Sequence, residues 1–284
     1  MTTYNTLHKF SAEDIKAFEP TMKIGMLATV SPEGLPHLTL ISSLMASSPT
    51  QMVWGQFTEG VSKSYIRQNP DVGFMIMNMD KEVWRGKARF THSQKDGRDW
   101  DFYNNTPMFR YNAYFGIHTV YYMDLLEQSG KFALPMSKVV SASIKTLAIK
   151  PFAGKTNTDN VINPWSAAMI SKIGNLKFLS YVDSSGFPVI IPVLQAAASN
   201  TEEIIFSIAA YRKDLETIPK GAPMALFGMT LDMEDVLFRG EYTGIRNFLG
   251  MKYGCLNVNW VYNAMPPKPQ QIYPPQYPQT VKEF

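Results

Sequence analysis

The sequence predicts a mainly β protein with small helices, built from two tandem copies of one small barrel. Short apolar segments rich in β-branched residues alternate with turn residues along most of the chain. Two short motifs also recur, at separations of 152 and 154 residues. Gly34-Leu35-Pro36 returns as Gly186-Phe187-Pro188, and Val83-Trp84-Arg85-Gly86 returns as Leu237-Phe238-Arg239-Gly240. Because both motifs lie on strand-like segments in the same order, they predict a duplicated unit.

The first repeat contains the clearest strand and helix signals. Ser11 begins a helix that Pro20 ends, and Ser31-Pro32-Glu33-Gly34 supplies the turn of a hairpin. The aromatic-rich residues 97–116 predict a helical insertion over the barrel mouth. The other predicted elements are strands at 24–30, 36–41, 52–57, 72–77, 83–90 and 118–124, and helices at 62–69 and 136–149.

The polar stretch from Pro151 to Asn163 predicts a linker between the two repeats. It divides the chain into a first domain at 1–150 and a second domain at 151–284. Strands of the second repeat are predicted at 176–182, 204–206 and 224–227. The proline-rich C-terminal tail is expected to be extended and to wrap the barrel or a partner chain.

Composition excludes several classes of protein. A net charge of +3 gives no reason to expect a nucleic-acid partner. The single cysteine, Cys255, excludes a disulfide framework, and four scattered histidines argue against a metal site. The chain shows neither a secretory signal nor an apolar stretch long enough to span a membrane, so a cytoplasmic protein is expected.

Residues 57–63, with the sequence FTEGVSK, are a candidate phosphate-binding segment between a strand and a short helix. Backbone N–H groups at a helix N-terminus attract anions. Thr58 and Ser62 would add hydroxyl donors, Lys63 would add a positive charge, and Gly60 would allow a tight turn. The alternative is that Ser62 only caps the helix and Lys63 is a solvated surface residue.

The order of these segments resembles the pyridoxamine 5′-phosphate oxidase-like split barrels that bind flavin mononucleotide (FMN). The segments that carry the resemblance are LATVSPEGLPHLTLI, FTEGVSK, Asn69-Pro70 and WRGKARF. The resemblance covers residues 20–90 well and residues 165–245 in outline. It implies a split-barrel fold for both repeats.

The resemblance also implies a set of flavin contacts. Thr58, Ser62 and Lys63 would hold the flavin phosphate. Ser42 and Ser43, placed on the second strand, would lie under the isoalloxazine ring, and Phe57 would lie close to it. In that family the flavin binds between two barrels, so the partner barrel would be the second repeat or a second chain of a homodimer.

The second repeat departs from the family pattern. Ala210 falls where the first repeat has Thr58, and Leu215 falls where it has Lys63. We therefore expect a degenerate second barrel and one complete phosphate site per chain. The second strand also lacks the Arg and Lys of the biosynthetic oxidase, which argues against that activity.

These observations favour a flavin-dependent oxidoreductase that acts on a small molecule, with NADH or NADPH as candidate electron donors. No side chain stands out as a catalytic acid or base. A non-catalytic flavin- or haem-binding protein, with His37 or His118 as a haem ligand, remains an alternative. A further alternative is a structural barrel that has lost its ligand.

Other residues have less specific interpretations. Arg85 and Arg239 recur at equivalent places and are expected on the barrel rim, paired with acids. Trp54 and Trp84 are expected either in the core or stacked on a ring.

Overall fold

The structure is a computed structural model that describes residues 6–56, 60–106, 116–153, 160–232, 234–263 and 270–274. The helices are α1 (Ala12–Phe18), α2 (Val61–Gln68), α3 (Arg98–Asn105), α4 (Met136–Ala153), α5 (Pro164–Ser171) and α6 (Arg212–Leu215). The strands of the first half are β1 (Ile24–Val30), β2 (Pro36–Leu40), β3 (Met45–Ser48), β4 (Gln51–Gly55), β5 (Asp71–Met77), β6 (Glu82–Gln94), β7 (Val120–Gln128) and β8 (Phe132–Ala133). Those of the second half are β9 (Leu176–Val182), β10 (Pro188–Pro192), β11 (Ala197–Ala198), β12 (Glu203–Ser207), β13 (Pro223–Met229), β14 (Asp235–Phe248), β15 (Met251–Asn263) and β16 (Gln270–Tyr273).

The two halves have the same sheet topology. The strand order of the first sheet is β2-β1-β5-β6-β7-β4-β3, with β8 beside β6. The strand order of the second sheet is β10-β9-β13-β14-β15-β12-β11, with β16 beside β15. Every strand on the second path is the eighth after its counterpart on the first. The predicted duplication of a mainly β unit is therefore confirmed.

The duplication extends to individual turns and hydrogen bonds. Gly34 and Gly186 follow the first strand of each half with φ angles of 80° and 85°, a conformation that favours glycine. Ile41 N donates to Gly25 O over 2.7 Å, and the equivalent Val193 N donates to Lys177 O over 2.9 Å. The recurring Gly-x-Pro motif thus marks the same hairpin in both repeats.

Aromatic residues dominate the core of the first sheet. Trp84 packs edge-on against Phe18 at 5.1 Å, and its indole N–H donates to Asp14 on α1 over 2.7 Å. Trp54 stacks on Tyr121 with ring centroids 4.1 Å apart. Both tryptophans are buried, which decides between their two interpretations in favour of the core. These contacts fix α1 against the sheet.

The compact units differ from the predicted domain ranges. The first unit comprises Met1–Met136 with Ser180–Ile191, and the second comprises Ser137–Leu179 with Pro192–Phe284. Residues 180–191 group with the first unit through polar contacts. Lys87 on β6, for example, forms a 2.8 Å ion pair with Asp183. The boundary between residues 150 and 151, which follows from the sequence repeat, stays a prediction.

Helix α4 extends four residues beyond its predicted end, to Ala153. Its inner face packs on the second sheet, where Thr146 accepts a 2.9 Å hydrogen bond from Ser207 N. Ile149 lies in a buried cluster with Ile205 and Cys255. The predicted linker at 151–163 is thus partly helical, and residues 154–159 lie outside the described residues.

Several strands were not predicted, among them β3, β8, β15 and β16. Strands β3 and β8 are only 4 and 2 residues long, too short to give an alternating pattern. Strand β15 has four consecutive buried residues at 253–256 and alternates between buried and exposed residues only after them, and Lys and Asn interrupt its apolar pattern. The C-terminal tail contributes β16, which pairs antiparallel with β15.

A buried lysine distinguishes the second sheet from the first. Lys177 on β9 occupies the position that Gly25 has on β1, and its side chain is fully buried. Its ammonium group donates to Leu194 O over 3.0 Å and to Ala196 O over 2.9 Å. Burial lowers the pKa of Lys177 to about 7. The amine therefore ties the turn after β10 to β9 at an electrostatic cost.

Replacing Lys177 by methionine should flatten the pH dependence of stability. Above about pH 7 the folded chain releases this proton, whereas an unfolded lysine holds it up to a pKa of about 10.4. The free energy of unfolding of the wild type should therefore rise with pH between about pH 7 and pH 9. Lys177→Met should reduce this slope by up to about 1.4 kcal/mol per pH unit, as measured by denaturant unfolding.

Lys172→Met, at an exposed position, is the matched control and should keep the wild-type slope. The slope is the diagnostic quantity, because Lys177→Met also removes the donor of two carbonyls and so shifts the absolute stability. Lys23, whose pKa burial lowers to about 8, contributes a slope of the same sign in all three proteins. Equal slopes in wild type and Lys177→Met would contradict the assignment.

Candidate functional site

Among the described residues, no side chain caps the N-terminus of α2. Its N-cap residue is Gly60, which makes no side-chain hydrogen bond, and its first turn contains no acidic residue. In contrast, Ser11 caps α1 and Asn163 caps α5. Gly60 has a φ of −168°, an extended conformation open to any residue, so the expected tight turn at Gly60 is wrong. Helix α2 therefore presents free backbone N–H donors and its positive dipole end.

Ser62 and Lys63 are both buried on the first turn of α2. The Ser62 hydroxyl lies 2.5 Å from the Thr39 hydroxyl on β2, which attaches the helix to the sheet. The Lys63 side chain is only 9% exposed. Ser62 is the second residue of the helix and not its cap, so the interpretation of a capping serine beside a solvated lysine is wrong.

A cavity of about 450 Å³ opens beside this helix turn. Its positively charged lining residues are Lys63, Arg67 and Lys95, and His118 joins them on the wall. The complete described lining consists of Gln56, Gly60, Lys63, Ser64, Arg67, Gln68, Lys95, His118, Thr119 and Tyr121. None of these residues is acidic. The cavity therefore has the electrostatic character of an anion-binding site.

Hydrogen bonds hold the uncharged part of the cavity wall in place. The Tyr121 hydroxyl donates to Gln56 Oε1 over 2.9 Å. Gln56 N donates to Thr119 O over 2.8 Å, and this bond extends the pairing of β4 and β7. The wall opposite α2 is thus built on two central strands of the sheet, which makes it rigid.

The second half has no equivalent of this helix turn. Helix α6 occupies the same place between strands but spans only 4 residues. Leu215, fully buried, stands where the first half has Lys63. Apart from this shortened helix, each half follows the same strand path with a helix between its fourth and fifth strands. The chain is a tandem of two split barrels. The resemblance drawn from the sequence is confirmed at the level of the fold.

Solved structures with a similar fold each match less than half of this chain. An FMN-binding protein from Syntrophomonas wolfei is 13% identical, covers 40% of this chain and 81% of its own, and has a TM-score of 0.35. An F420 reductase is 16% identical, covers 42% of this chain and 98% of its own, and has a TM-score of 0.34. A FAD-binding protein from Mesorhizobium loti is 13% identical, covers 43% of this chain and 96% of its own, and has a TM-score of 0.31. No protein-family model and no curated protein matches the sequence.

Ser42 and Ser43 lie in a turn and are not among the described residues that line the cavity. Strand β2 ends at Leu40, so their predicted place on the second strand is wrong. The turn forms because Ile41 N bonds to Gly25 O and Leu44 N bonds back to Ile41 O. Phe57 and Thr58, the other expected flavin contacts, lie outside the described residues.

Ser43 links two backbone groups of β4 in the first split barrel. Its hydroxyl donates to Gly55 O over 3.0 Å and accepts from Gly55 N over 3.1 Å. The Tyr103 hydroxyl on α3 donates to Ser43 O over 2.6 Å. Gln195, the equivalent residue of the second barrel, donates to Ser207 O over 2.7 Å. The position therefore stabilises the end of the same strand in both barrels.

The sequence interpretation missed several residues that line the cavity. Arg67 carried a usable signal, because it follows Lys63 by four residues on α2 and so shares its face of the helix. Lys95 follows the end of β6, and Gln56, Thr119 and Tyr121 come from β4 and β7. Only the strand order brings these distant segments together, and a single sequence does not give that order.

The remaining candidates have structural surroundings. His37 is buried with its ring edge-on to Tyr65 at 5.7 Å, while His118 lines the cavity. Arg239 lies over the Trp260 ring at 4.3 Å, and Arg85 donates to Ile190 O over 3.2 Å. The described residues contain no cluster of three or more metal-ligating side chains. Among the described helices, none combines the length and apolar character that spanning a membrane requires.

Ser43→Ala should destabilise the first barrel by about 1–3 kcal/mol, because it leaves the buried N–H and C=O of Gly55 without their partner. Ser42→Ala, at the half-buried neighbour, should change the free energy of unfolding by about 0.5 kcal/mol or less. Denaturant unfolding of both variants measures the difference. Equal stability of the two would show that the Ser43 hydroxyl contributes nothing to β4.

Proposed function

We propose that the first barrel binds FMN, with the flavin phosphate at the N-terminus of α2, and that the protein is an oxidoreductase. The observation that supports this most is the buried Lys63 beside an uncapped helix N-terminus, in a cavity whose described lining contains no acid. A phosphate group would accept hydrogen bonds from the backbone N–H groups at the start of α2 and would carry the charge opposite to that of the Lys63 ammonium.

The dimensions and surroundings of the cavity fit this proposal. A volume of about 450 Å³ falls within the range of small-molecule sites, about 300–1,000 Å³. The bond between Ser62 and Thr39 fixes the start of α2 on β2, so the phosphate donors are positioned before a ligand arrives. Thr58 and Phe57 remain proposed contacts on the strength of the family resemblance.

Bound flavin supplies the redox chemistry by accepting and donating hydride or single electrons. The residues of this chain would bind the flavin and orient it. Lys63 and the α2 N-terminus neutralise the phosphate, and the hydrogen-bonded pair of Gln56 and Tyr121 forms a fixed polar wall. We propose NADH or NADPH as the electron donor and a small molecule as the acceptor. One flavin per chain is expected, because Leu215 replaces the lysine in the second barrel.

The second candidate function is flavin or haem binding without turnover. His118 is the candidate haem ligand of the first barrel, because it lines the cavity. His37 is buried and is not among the described lining residues. Absorption spectra of the purified protein separate the two ligands, since haem and flavin absorb at different wavelengths. Reduction of bound flavin by NADH or NADPH, followed by transfer to an added acceptor, distinguishes the enzyme from a carrier.

Lys63→Met combined with Thr58→Ala should weaken FMN binding about 10- to 100-fold, because charge-assisted hydrogen bonds to the phosphate are lost. Riboflavin, which lacks the phosphate, should bind wild type and variant alike. Quenching of flavin fluorescence on titration measures both affinities.

Lys16→Met, at an exposed position on α1 of the same unit, is the matched control and should bind FMN like the wild type. A wild-type protein that binds FMN no better than riboflavin would disprove the phosphate site. A protein that ignores both compounds would disprove flavin binding altogether.

A further inference from the structure

Helix α4 has apolar residues on its outer face as well as on the face that packs on the second sheet. The inner residues Val139, Ala142 and Ile149 are buried. On the outer face, Val140 and Ile144 are each more than half exposed. A helix that is apolar on all sides is ordinarily covered on all sides, and an exposed apolar patch marks an interaction surface. The outer face of α4 therefore has the character of a contact surface.

The exposed apolar residues form a continuous row along the helix. Residues four positions apart are neighbours on a helix surface, and this spacing joins Val140, Ile144, Ala148 and Phe152. Leu147, also exposed, lies beside the row, three residues after Ile144. With a rise of about 1.5 Å per residue, the row is about 18 Å long. Together these five residues form the α4 ridge.

The tip of the hairpin between β14 and β15 extends the α4 ridge. Phe152 stacks on Phe248 with ring centroids 4.8 Å apart, and the next residue, Leu249, is 85% exposed. The φ angles of Leu249 and Gly250 are 50° and 81°, in a two-residue turn that favours asparagine before glycine. A leucine there strains the backbone and exposes an apolar side chain to water. Strain kept at an exposed position points to a function for that side chain.

Lysines lie on both sides of the α4 ridge, and the sequence of α4 contains no acidic residue. With 3.6 residues per turn, Lys138 and Lys145 lie on one side of the ridge and Lys150 lies on the other. Arg246 on the hairpin is different, because Glu203 pairs with it over 2.8 Å. The net positive charge of this surface therefore comes from the helix. The surface is apolar along its middle and positive at its sides.

We propose that the α4 ridge and the hairpin tip at Leu249 bind the surface of a membrane that contains anionic phospholipids. Apolar side chains of such a surface enter the boundary between headgroups and acyl chains, and flanking lysines reach the lipid phosphates. A protruding Leu249 needs no matching pocket in a lipid layer. A second copy of this chain fits less well, because two ridges in contact would bring their lysines together. The proposal goes beyond the flavin site, which lies in the first barrel.

Co-sedimentation of the full chain with lipid vesicles tests the apolar part of the surface. The vesicles contain phosphatidylcholine, either alone or mixed with an equal part of phosphatidylserine. Ile144→Gln/Leu249→Asn should bind the mixed vesicles at least about tenfold more weakly than the wild type, because two apolar side chains no longer enter the lipid. Ile173→Gln/Leu231→Asn makes the same replacements at exposed positions of the same unit and should bind like the wild type.

A second pair of variants tests the charge. Each lysine near an anionic membrane surface strengthens binding about fivefold. The wild type should therefore bind the mixed vesicles at least about tenfold more tightly than phosphatidylcholine alone, and Lys138→Gln/Lys145→Gln should lose most of this preference. Lys172→Gln/Lys213→Gln, at exposed positions of the same unit, should keep it.

Several results would overturn the proposal. It is wrong if the wild type binds neither kind of vesicle, if Ile144→Gln/Leu249→Asn binds like the wild type, or if Lys138→Gln/Lys145→Gln keeps the full preference. If the wild type instead forms a dimer that Ile144→Gln/Leu249→Asn dissociates in analytical ultracentrifugation, and binds no vesicles, the ridge is an interface between copies.

Denaturant unfolding excludes loss of folding as the cause of lost binding. Because asparagine suits the backbone conformation at position 249, Ile144→Gln/Leu249→Asn should be about as stable as the wild type. Its affinity for FMN should also equal that of the wild type. Failure of the membrane proposal therefore leaves the proposed flavin function untouched.

Discussion

A close approach between backbones determines how each barrel is built. Gly86 on β6 and Gly240 on β14 lie so near the neighbouring strand that a Cβ atom would collide with the carbonyl oxygens of Glu127 and Asn257. Strand β6 pairs with β5 over residues 83–89 and with β7 over residues 86–94, and β14 pairs with β13 over residues 235–241 and with β15 over residues 237–248. Beside each glycine the register of the second pairing shifts, at Lys87/Ala88 and at Arg239/Gly240. Glycine permits the close backbone approach next to these register shifts. The recurring Arg-Gly motif therefore reflects a steric need of the fold.

The position of the candidate site follows from the same strand arrangement. Strand β7 pairs with β6 on one side and with β4 on the other. The Gln56 and Tyr121 side of the cavity is then fixed by the sheet, and the Ser62 to Thr39 bond fixes the α2 side. Two rigid walls thus hold Lys63 between them. A bound anion would offset part of the electrostatic cost of burying the Lys63 ammonium.

Much of the fold could be predicted from the sequence, because local signals and repetition agree. The hairpin at Gly34 and the close strand contact at Gly86 have glycines that backbone geometry requires, and both recur in the second repeat. Ser62 and Lys63 of the candidate phosphate-binding segment could be identified from the sequence, because they follow a strand and begin a helix. Ser42 and Ser43 were misplaced because the apolar pattern of β2 continues through Ile41, whereas the pairing stops at Leu40. Where pairing stops depends on a neighbouring strand, and the pattern of one segment does not contain that information.

The two barrels keep the same strand order but differ at individual side chains. The backbone hydrogen bond between the first strand and the turn after the second strand is present in both barrels. The strand residue whose carbonyl accepts it is Gly25 in the first barrel and the buried Lys177 in the second. In the opposite sense, Lys63 of the first barrel gives way to a buried Leu215 in the second. The first barrel thus keeps its buried amine beside an open cavity, and the second uses its amine to satisfy backbone carbonyls. The same kind of side chain therefore binds two backbone carbonyls in the second barrel, where it joins a turn to a strand, and lines a cavity in the first.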